Sequence, residues 1–145
     1  MRLSMKADYG LRALVDLAAH YPGPAVPCHA IAARQGIPAA FLDQVLLCLR
    51  RHRLVTSTRG PHGGHVLARP PASVLLSEAL AALQGPTAPM ACFTEPESCQ
   101  GAGRCRLRLV LDRADSAARA VLAATTLADL LGEAVAVPLA AGPAA

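Results

Sequence analysis

The four residues Gln35-Gly36-Ile37-Pro38 sit between two apolar helical patterns and narrow the fold more than any other part of the chain. Glycine ends a helix readily because it adopts a left-handed backbone at little cost. Proline opens the next because its fixed φ suits a first turn that does not need its N–H. The flanking patterns run from Cys28 to Gln35 and from Ala39 to Arg51, so the spacing predicts two short helices joined by a tight turn, a helix-turn-helix. In the second helix Phe41, Leu42, Val45, Leu46 and Leu49 form the expected buried stripe, leaving Ala40, Asp43, Gln44, Leu47 and Arg51 outside. Short or polar side chains near the start of such a helix suit entry into a DNA major groove. There Gln44 can pair with adenine or hold a phosphate, and Asp43 can accept from cytosine.

The next stretch of chain strengthens that reading. Leu54 to Thr58 and His65 to Ala68 are short apolar–polar alternations flanking the turn Arg59-Gly60-Pro61-His62-Gly63-Gly64, the pattern of a β-hairpin. A helix-turn-helix joined directly to a hairpin is a winged helix. Arg59 stands at the base of the wing, where it can enter a minor groove and sense its width. The glycines also suggest a phosphate-binding nucleotide loop, but they lack a succeeding Gly-Lys-Ser/Thr and the next element is a strand. The candidate DNA contacts are Ala40, Asp43, Gln44, Arg50 and Arg51, with Arg59, Gly60, His62, Gly63 and Gly64 of the wing.

The remaining segments frame this module. Ser4 to His20 sets Leu3, Ala7, Leu11, Leu14, Val15 and Ala18 at helical spacing behind a Ser4 cap, and Tyr21-Pro22-Gly23 stops it. Asp8 and Arg12 fall four apart on one face, the spacing of a surface ion pair. A short helix over Ser77–Gln84 ends at Gly85-Pro86. After a linker comes Cys92 to Cys105, which holds three cysteines and reads as a loop, with six residues between the first pair and five between the second. Beyond it Leu107, Val110, Leu111, Ala114, Ala117, Ala118, Val121 and Leu122 continue a helical stripe with nothing left in its own domain to pack against. Such a face normally meets the same face of a second copy. Thr125 to Leu131 predicts a capped final helix ending at Gly132.

Length and composition set the limits. A chain of 145 residues is about one domain. Hydrophobic content of 53% with only 3% aromatic implies a Leu, Val and Ala core and a mainly α fold. The net charge of +4 is modest, but its distribution is not: between Gln44 and Ser77 lie five arginines, three histidines and no acidic residue. No signal-peptide pattern is present after Met1, and no apolar run approaches the roughly 18 residues a membrane helix requires, so a cytoplasmic chain with no membrane partner is expected. Thiols stay reduced there, and five cysteines favour metal or redox chemistry over a disulfide framework.

Several segments together resemble one family: RLSMKADYGLRALVDLA, IAARQGIPAAFLDQVLLCLRRHRLVTSTRGPHGGHVLARP, LQGP, the cysteine triplet and TLADLL. They are similar to the IscR/NsrR family of bacterial winged-helix iron–sulfur transcriptional regulators, in the Rrf-two superfamily, from Met1 to about Leu131. The resemblance implies a homodimer on double-stranded operator DNA whose affinity is governed by an iron–sulfur cluster, [2Fe–2S] or [4Fe–4S]. It assigns Cys92, Cys99 and Cys105 as ligands. One branch places a His three residues after the third cysteine, where this chain has Arg108. The nitric-oxide sensors and a related redox-sensing group use an acidic residue of the partner's first helix, and Asp8 holds the matching position.

The chain thereby divides into a winged helix-turn-helix DNA-binding domain over 1–86 and a cluster-binding loop over 87–106. A dimerisation helix with a final short helix covers 107–132, and a tail expected to be disordered covers 133–145. Arg104, Arg106 and Arg108 beside Cys105 should favour thiolates and offset an anionic cluster. Zinc is the chemical rival, but structural zinc usually takes cysteines two to four residues apart, and this loop has none. A bare thiol switch comes after zinc. Cys48 reads as a small buried hydrophobe and Cys28 as a near-cap residue, so neither joins the ligand set. An enzyme holding a cluster is the competing class, without a recognisable substrate pocket, base pair or nucleotide loop.

Overall fold

The Ser4 hydroxyl accepts from the Ala7 N–H at 3.1 Å, supplying one of the partners a helix start lacks, and α1 (Met5–Ala19) runs from there. The computed structural model describes residues 2–85 and 88–132, without the Ala102 side chain. The tail expected beyond Gly132 and the 86/87 boundary lie outside the described residues. α1 buries Ala7, Gly10, Ala13, Leu14, Leu17 and Ala18. Gly10 permits a close crossing with α4 (Leu76–Gln84): a Cβ there would stand 2.3 Å from the Leu83 side chain.

The predicted helix-turn-helix forms as α2 (Cys28–Gln35) and α3 (Ala39–Arg51). Gly36 adopts φ +62°, its N–H donates to the Ala32 carbonyl, and the Ile37 N–H donates to the same carbonyl at 3.0 Å. Leu42, Val45, Leu46 and Leu49 enter the core, but Phe41 does not. It is 41% exposed and packs edge-on against Tyr9 of α1, with ring centroids 5.4 Å apart. The apolar stripe of α3 is therefore one column narrower than the sequence suggests.

Strands β1 (Val55–Thr58) and β2 (Gly64–Leu67) pair antiparallel, Val55 opposite Leu67 and Thr58 opposite Gly64. The linker before α2 adds a third backbone: Val26 and His65 exchange both hydrogen bonds, at 2.9 and 2.8 Å. Gly64 lies so close to that linker that a Cβ would meet the Val26 carbonyl at 2.5 Å. The wing is thus seated on the helical body that carries the helix-turn-helix, the reader, and not only tethered to it.

After α4 the chain passes through a one-turn helix α5 (Ala91–Thr94) and single 3-10 turns into α6 (Arg106–Ala124). α6 packs against α4, and Leu122 against the core, so the expected absence of packing within its own domain is corrected. Its half-buried positions Leu111, Asp115, Ala118 and Leu122 form one stripe. Leu107, Val110, Ala114, Ala117 and Val121 stay exposed on another. The expected final helix is a single 3-10 turn, Ala128–Leu130, capped by Thr126 and Asp129. It exists to deliver Leu127, fully buried, into the core, where its N–H donates to the Val74 carbonyl at 2.9 Å.

One buried carboxylate fixes α2 against α1. Asp16 is 5% exposed and accepts from Arg34 Nη2 at 2.7 Å, Arg34 Nε at 3.0 Å and Gln35 Nε2 at 3.1 Å. Burial opposes its charge, but the Arg34 and Gln35 hydrogen bonds and the charges of Arg34 and His20 outweigh burial and hold its pKa below the ordinary carboxylate value. Its stabilising contribution is therefore complete above the unfolded Asp pKa, about 3.9, and is lost as pH falls through the lower folded value. Asp16→Asn should cost about 2 kcal/mol near neutral pH, the scale of losing charge-assisted bonds. It should also flatten the acid limb of the stability curve, read by urea unfolding at several pH values. An unchanged acid limb would assign the acid sensitivity to other groups.

Candidate nucleic-acid interface and metal centre

The sequence-predicted DNA contacts lie on α3 and on the turn between the two strands. Ala40, Asp43, Gln44, Arg50 and Arg51 are exposed on α3; Arg59, Gly60 and His62 are exposed in the turn between the strands, and Gly63 and Gly64 are half-buried. The turn geometry explains its residues. Gly60 has φ +117°, and a Cβ on Gly63 would stand 2.3 Å from the Thr58 carbonyl, so the tip is backbone with little bulk. Arg59 is carried at the end of β1, next to that tip.

Two charged residues near this face have partners within the chain. Arg69 pairs with Glu78 of α4 and is drawn towards that helix. Asp43 is not a solitary carboxylate on the outer face. The Cys28 thiol donates to it, and burial together with that carboxylate pushes the Cys28 pKa up to about 12. Cys28 is thereby a hydrogen-bond donor, not an activated thiol. Cys48 donates to the Ala82 carbonyl at 3.3 Å, consistent with a packed thiol joining α3 to α4.

Between α3 and the wing lies an open recess of about 190 Å³ lined by Asp43, Leu46, Leu47, Arg50, Ser57 and His65. Sequence reasoning missed Ser57 and His65, which occupy adjoining strands and meet at 2.9 Å, Ser57 Oγ to His65 Nδ1. The signal was available in the hairpin register, which sets the two directly opposite.

All five cysteines are free thiols, with Cys99 exposed and Cys92 and Cys105 half-buried. Cys92 belongs to α5, Cys99 comes after a 3-10 turn, and Cys105 stands at the position just before α6. Among the described residues, no group of three or more His, Cys, Asp and Glu converges closely enough to hold a metal ion. The donor chemistry suits a thiophilic metal or an iron–sulfur cluster, but the set is not assembled within one chain. No described side chain between Ala88 and Arg106 is buried, so the loop can close without breaking a core. Arg108 lies over the Phe93 ring, 5.2 Å from its centroid, tying the start of α6 to α5.

Asp8 is on α1, its side chain 53% exposed, 3.4 Å from Arg12 Nη1. The same guanidinium reaches on: Arg12 Nη2 donates to the Gln35 carbonyl at the end of α2, and the cation lies 5.8 Å from the Tyr9 ring centroid. The candidate ligand Asp8 is thus one side chain away from the helix-turn-helix turn. No described helix is long and apolar enough to cross a membrane.

Residues 3–133 match the Rrf2 family, described as iron-dependent transcriptional regulators. A Mycobacterium tuberculosis protein named as an HTH-type transcriptional regulator is 38% identical over 135 residues, covering 93% of this chain and 84% of that protein. Among solved structures, CymR, the global cysteine regulator of B. subtilis, superposes with a TM-score of 0.75 at 30% identity, covering 90% of this chain and 96% of that one. IscR of T. potens superposes with a TM-score of 0.70 at 31% identity, covering 90% and 86%. With reader, wing and long helix all accounted for, the chain belongs to the Rrf2 family of winged-helix, DNA-binding transcriptional regulators.

Proposed function

We propose that this regulator is a homodimeric repressor whose operator affinity is set by an iron–sulfur cluster held by Cys92, Cys99 and Cys105, with Asp8 of the partner subunit as fourth ligand. The cluster would respond to nitric oxide, redox state or iron–sulfur status. The observation that carries this reading is the construction of the arm. The chain leaves the reader after Gly85 and is pinned back beside the start of α4, where the Leu76 N–H donates to the Thr125 carbonyl at 2.9 Å. Between those anchors the three free thiols ride on a loop without a core of its own, beside a helix with an unpartnered seam.

That seam supports the dimer. Leu107, Val110, Ala114, Ala117 and Val121 recur at spacings of three and four, the pattern by which two helices mesh, and the central alanines allow a close approach. α6 is 19 residues long, about 28 Å, so Cys105 stands a full helix away from the anchor at Thr125. A second copy crossing along this helix would bring a foreign α1 towards the cysteine loop, which fits an incomplete ligand set. When bound, the cluster supplies a site that a small oxidant or nitric oxide can modify. This chain's own part is to present thiolates in a basic setting and to link Asp8, through Arg12, to the Gln35 carbonyl of the helix-turn-helix. A zinc-binding or cluster-free thiol-responsive regulator is the second reading, favoured by the thiols not converging in a single chain. Neither reading makes the chain an enzyme.

Three measurements test this. Cys92→Ala, Cys99→Ala and Cys105→Ala should each abolish the visible absorbance of protein reconstituted anaerobically with iron and sulfide, and a normal spectrum in all three would exclude this ligand set. Arg59→Ala should weaken operator binding by about 1–3 kcal/mol; an unchanged mobility-shift titration would place the wing away from DNA. Ala117→Glu should raise the dimer dissociation constant by about 100-fold or more, because each dimer would bury two unpaired carboxylates. A dimer undisturbed in sedimentation equilibrium would move the interface off α6.

A further inference from the structure

The recess between α3 and the wing has a composition that neither the helix-turn-helix nor the cysteine loop explains. When a recognition helix occupies a major groove and its wing the adjoining minor groove, one sugar–phosphate strand must pass between them. In this protein that strand would cross the opening lined by Asp43, Arg50, Ser57 and His65. Its volume of about 190 Å³ is several times the roughly 30 Å³ of one liquid water, which leaves room for a phosphodiester group. We propose that this recess is the seat of one backbone phosphate of the duplex, that Ser57 and His65 contact it together with Arg50, and that seating it draws a proton from solvent onto His65. The proposal rests on α3 and the wing being the DNA face.

The charges around the imidazole set the direction. α3 contributes Asp43 and Arg50, whose charges cancel; β1 contributes the neutral Ser57 hydroxyl; α2 contributes Cys28, a neutral donor to Asp43. Behind the strand, His20 and Tyr21 line a small crevice that His65 also borders. With His65 neutral, the recess therefore carries no net charge from Asp43, Arg50 and His65. Burial, with help from Arg50, holds the free imidazole below the ordinary histidine value, while Asp43 opposes this. A phosphate seated against the ring would favour the cation, which carries two N–H donors, one already within reach of Ser57. A bound-state pKa above the free-state pKa means proton uptake on binding, so affinity must rise as pH falls between the two.

The seat is independent of base sequence, so duplex DNA of random sequence serves as the probe. Affinity of the full chain, measured from about pH 8 to about pH 5.5, should rise on acidification by up to about tenfold per pH unit, the ceiling for one proton. The salt dependence should steepen by about 0.9 in log–log slope as the added charge engages a phosphate. His65→Gln should remove both effects, whereas His52→Gln, an exposed histidine just past the end of α3, should keep them. A flat wild-type profile would overturn the proposal without reference to any variant, as would pH dependence that survives in His65→Gln. Arg59→Ala distinguishes the phosphate seat from the DNA face: weaker binding with the same pH slope supports both. Unchanged binding in Arg59→Ala removes the DNA face itself, and the phosphate seat with it.

Discussion

Asp16 is the carboxylate against which the reading head is set. Taking it out of water costs several kcal/mol, a penalty that apolar packing alone cannot offset. The bidentate Arg34 contact and the Gln35 amide bond satisfy both oxygens, so the charge persists at 5% exposure. These bonds run from α1 to the last two residues of α2, immediately before Gly36 turns the chain into α3. Arg12 adds a second tie, to the Gln35 carbonyl itself. Gln35 is thus held through its side chain from one point on α1 and through its backbone from another. The angle of the helix-turn-helix is referenced to α1 by directional contacts, and hydrophobic contacts at Leu14, Leu17, Ile31 and Leu42 fill in around them.

The second organising fact is that the arm is a closed excursion. Gly85 ends α4, Leu127 is buried near its start, and everything between returns to the same helix. The end of α6 is tied to the start of α4 by the bridge between Leu75 and Thr126 and by the Leu76 N–H on the Thr125 carbonyl. The two faces of α6 divide the work. Leu122 joins the core, and Val110, Ala114 and Ala117 stay exposed on another face.

Much of this was legible because it obeys short rules. The periodicity of Ala7, Leu14 and Leu46, the Gly36–Pro38 punctuation and the glycines of the hairpin each specify a local geometry that the tertiary structure keeps. The departures have physical causes that local rules do not carry. Phe41 lies at the edge of its stripe, and Tyr9, from a distant segment, offers a ring there. Asp16 reads as a polar interruption in an apolar helix until Arg34 arrives from α2. The 3-10 turn after α6 is too short for periodicity, since its purpose is the single side chain of Leu127. The recess at His65 needs the strand register as well as the position of α3. The cysteines specified donor types, but no rule of sequence reports how a loop without a core of its own is arranged.

Magnitudes decide which contact can carry a signal from Asp8 to DNA in the cluster reading. The Asp8–Arg12 pair is half-exposed, and pairs of that kind contribute about 0–1 kcal/mol. Losing it alone would change affinity by less than about sixfold per subunit. The Arg12 bond to the Gln35 carbonyl is a charged donor on a helix-terminal acceptor, worth about 1.5–3 kcal/mol. A ligand role for Asp8 therefore matters less through the ion pair it surrenders than through where it leaves the Arg12 guanidinium. If Arg12 stays on Gln35, the turn keeps its reference to α1. If it moves with the carboxylate, two subunits together forfeit about 3–6 kcal/mol of such contacts, and operator affinity falls by the part of this that the DNA-bound state alone requires, of which roughly 2.7 kcal/mol is a hundredfold shift. The switch then depends on a competition for one guanidinium between a carboxylate and a helix end.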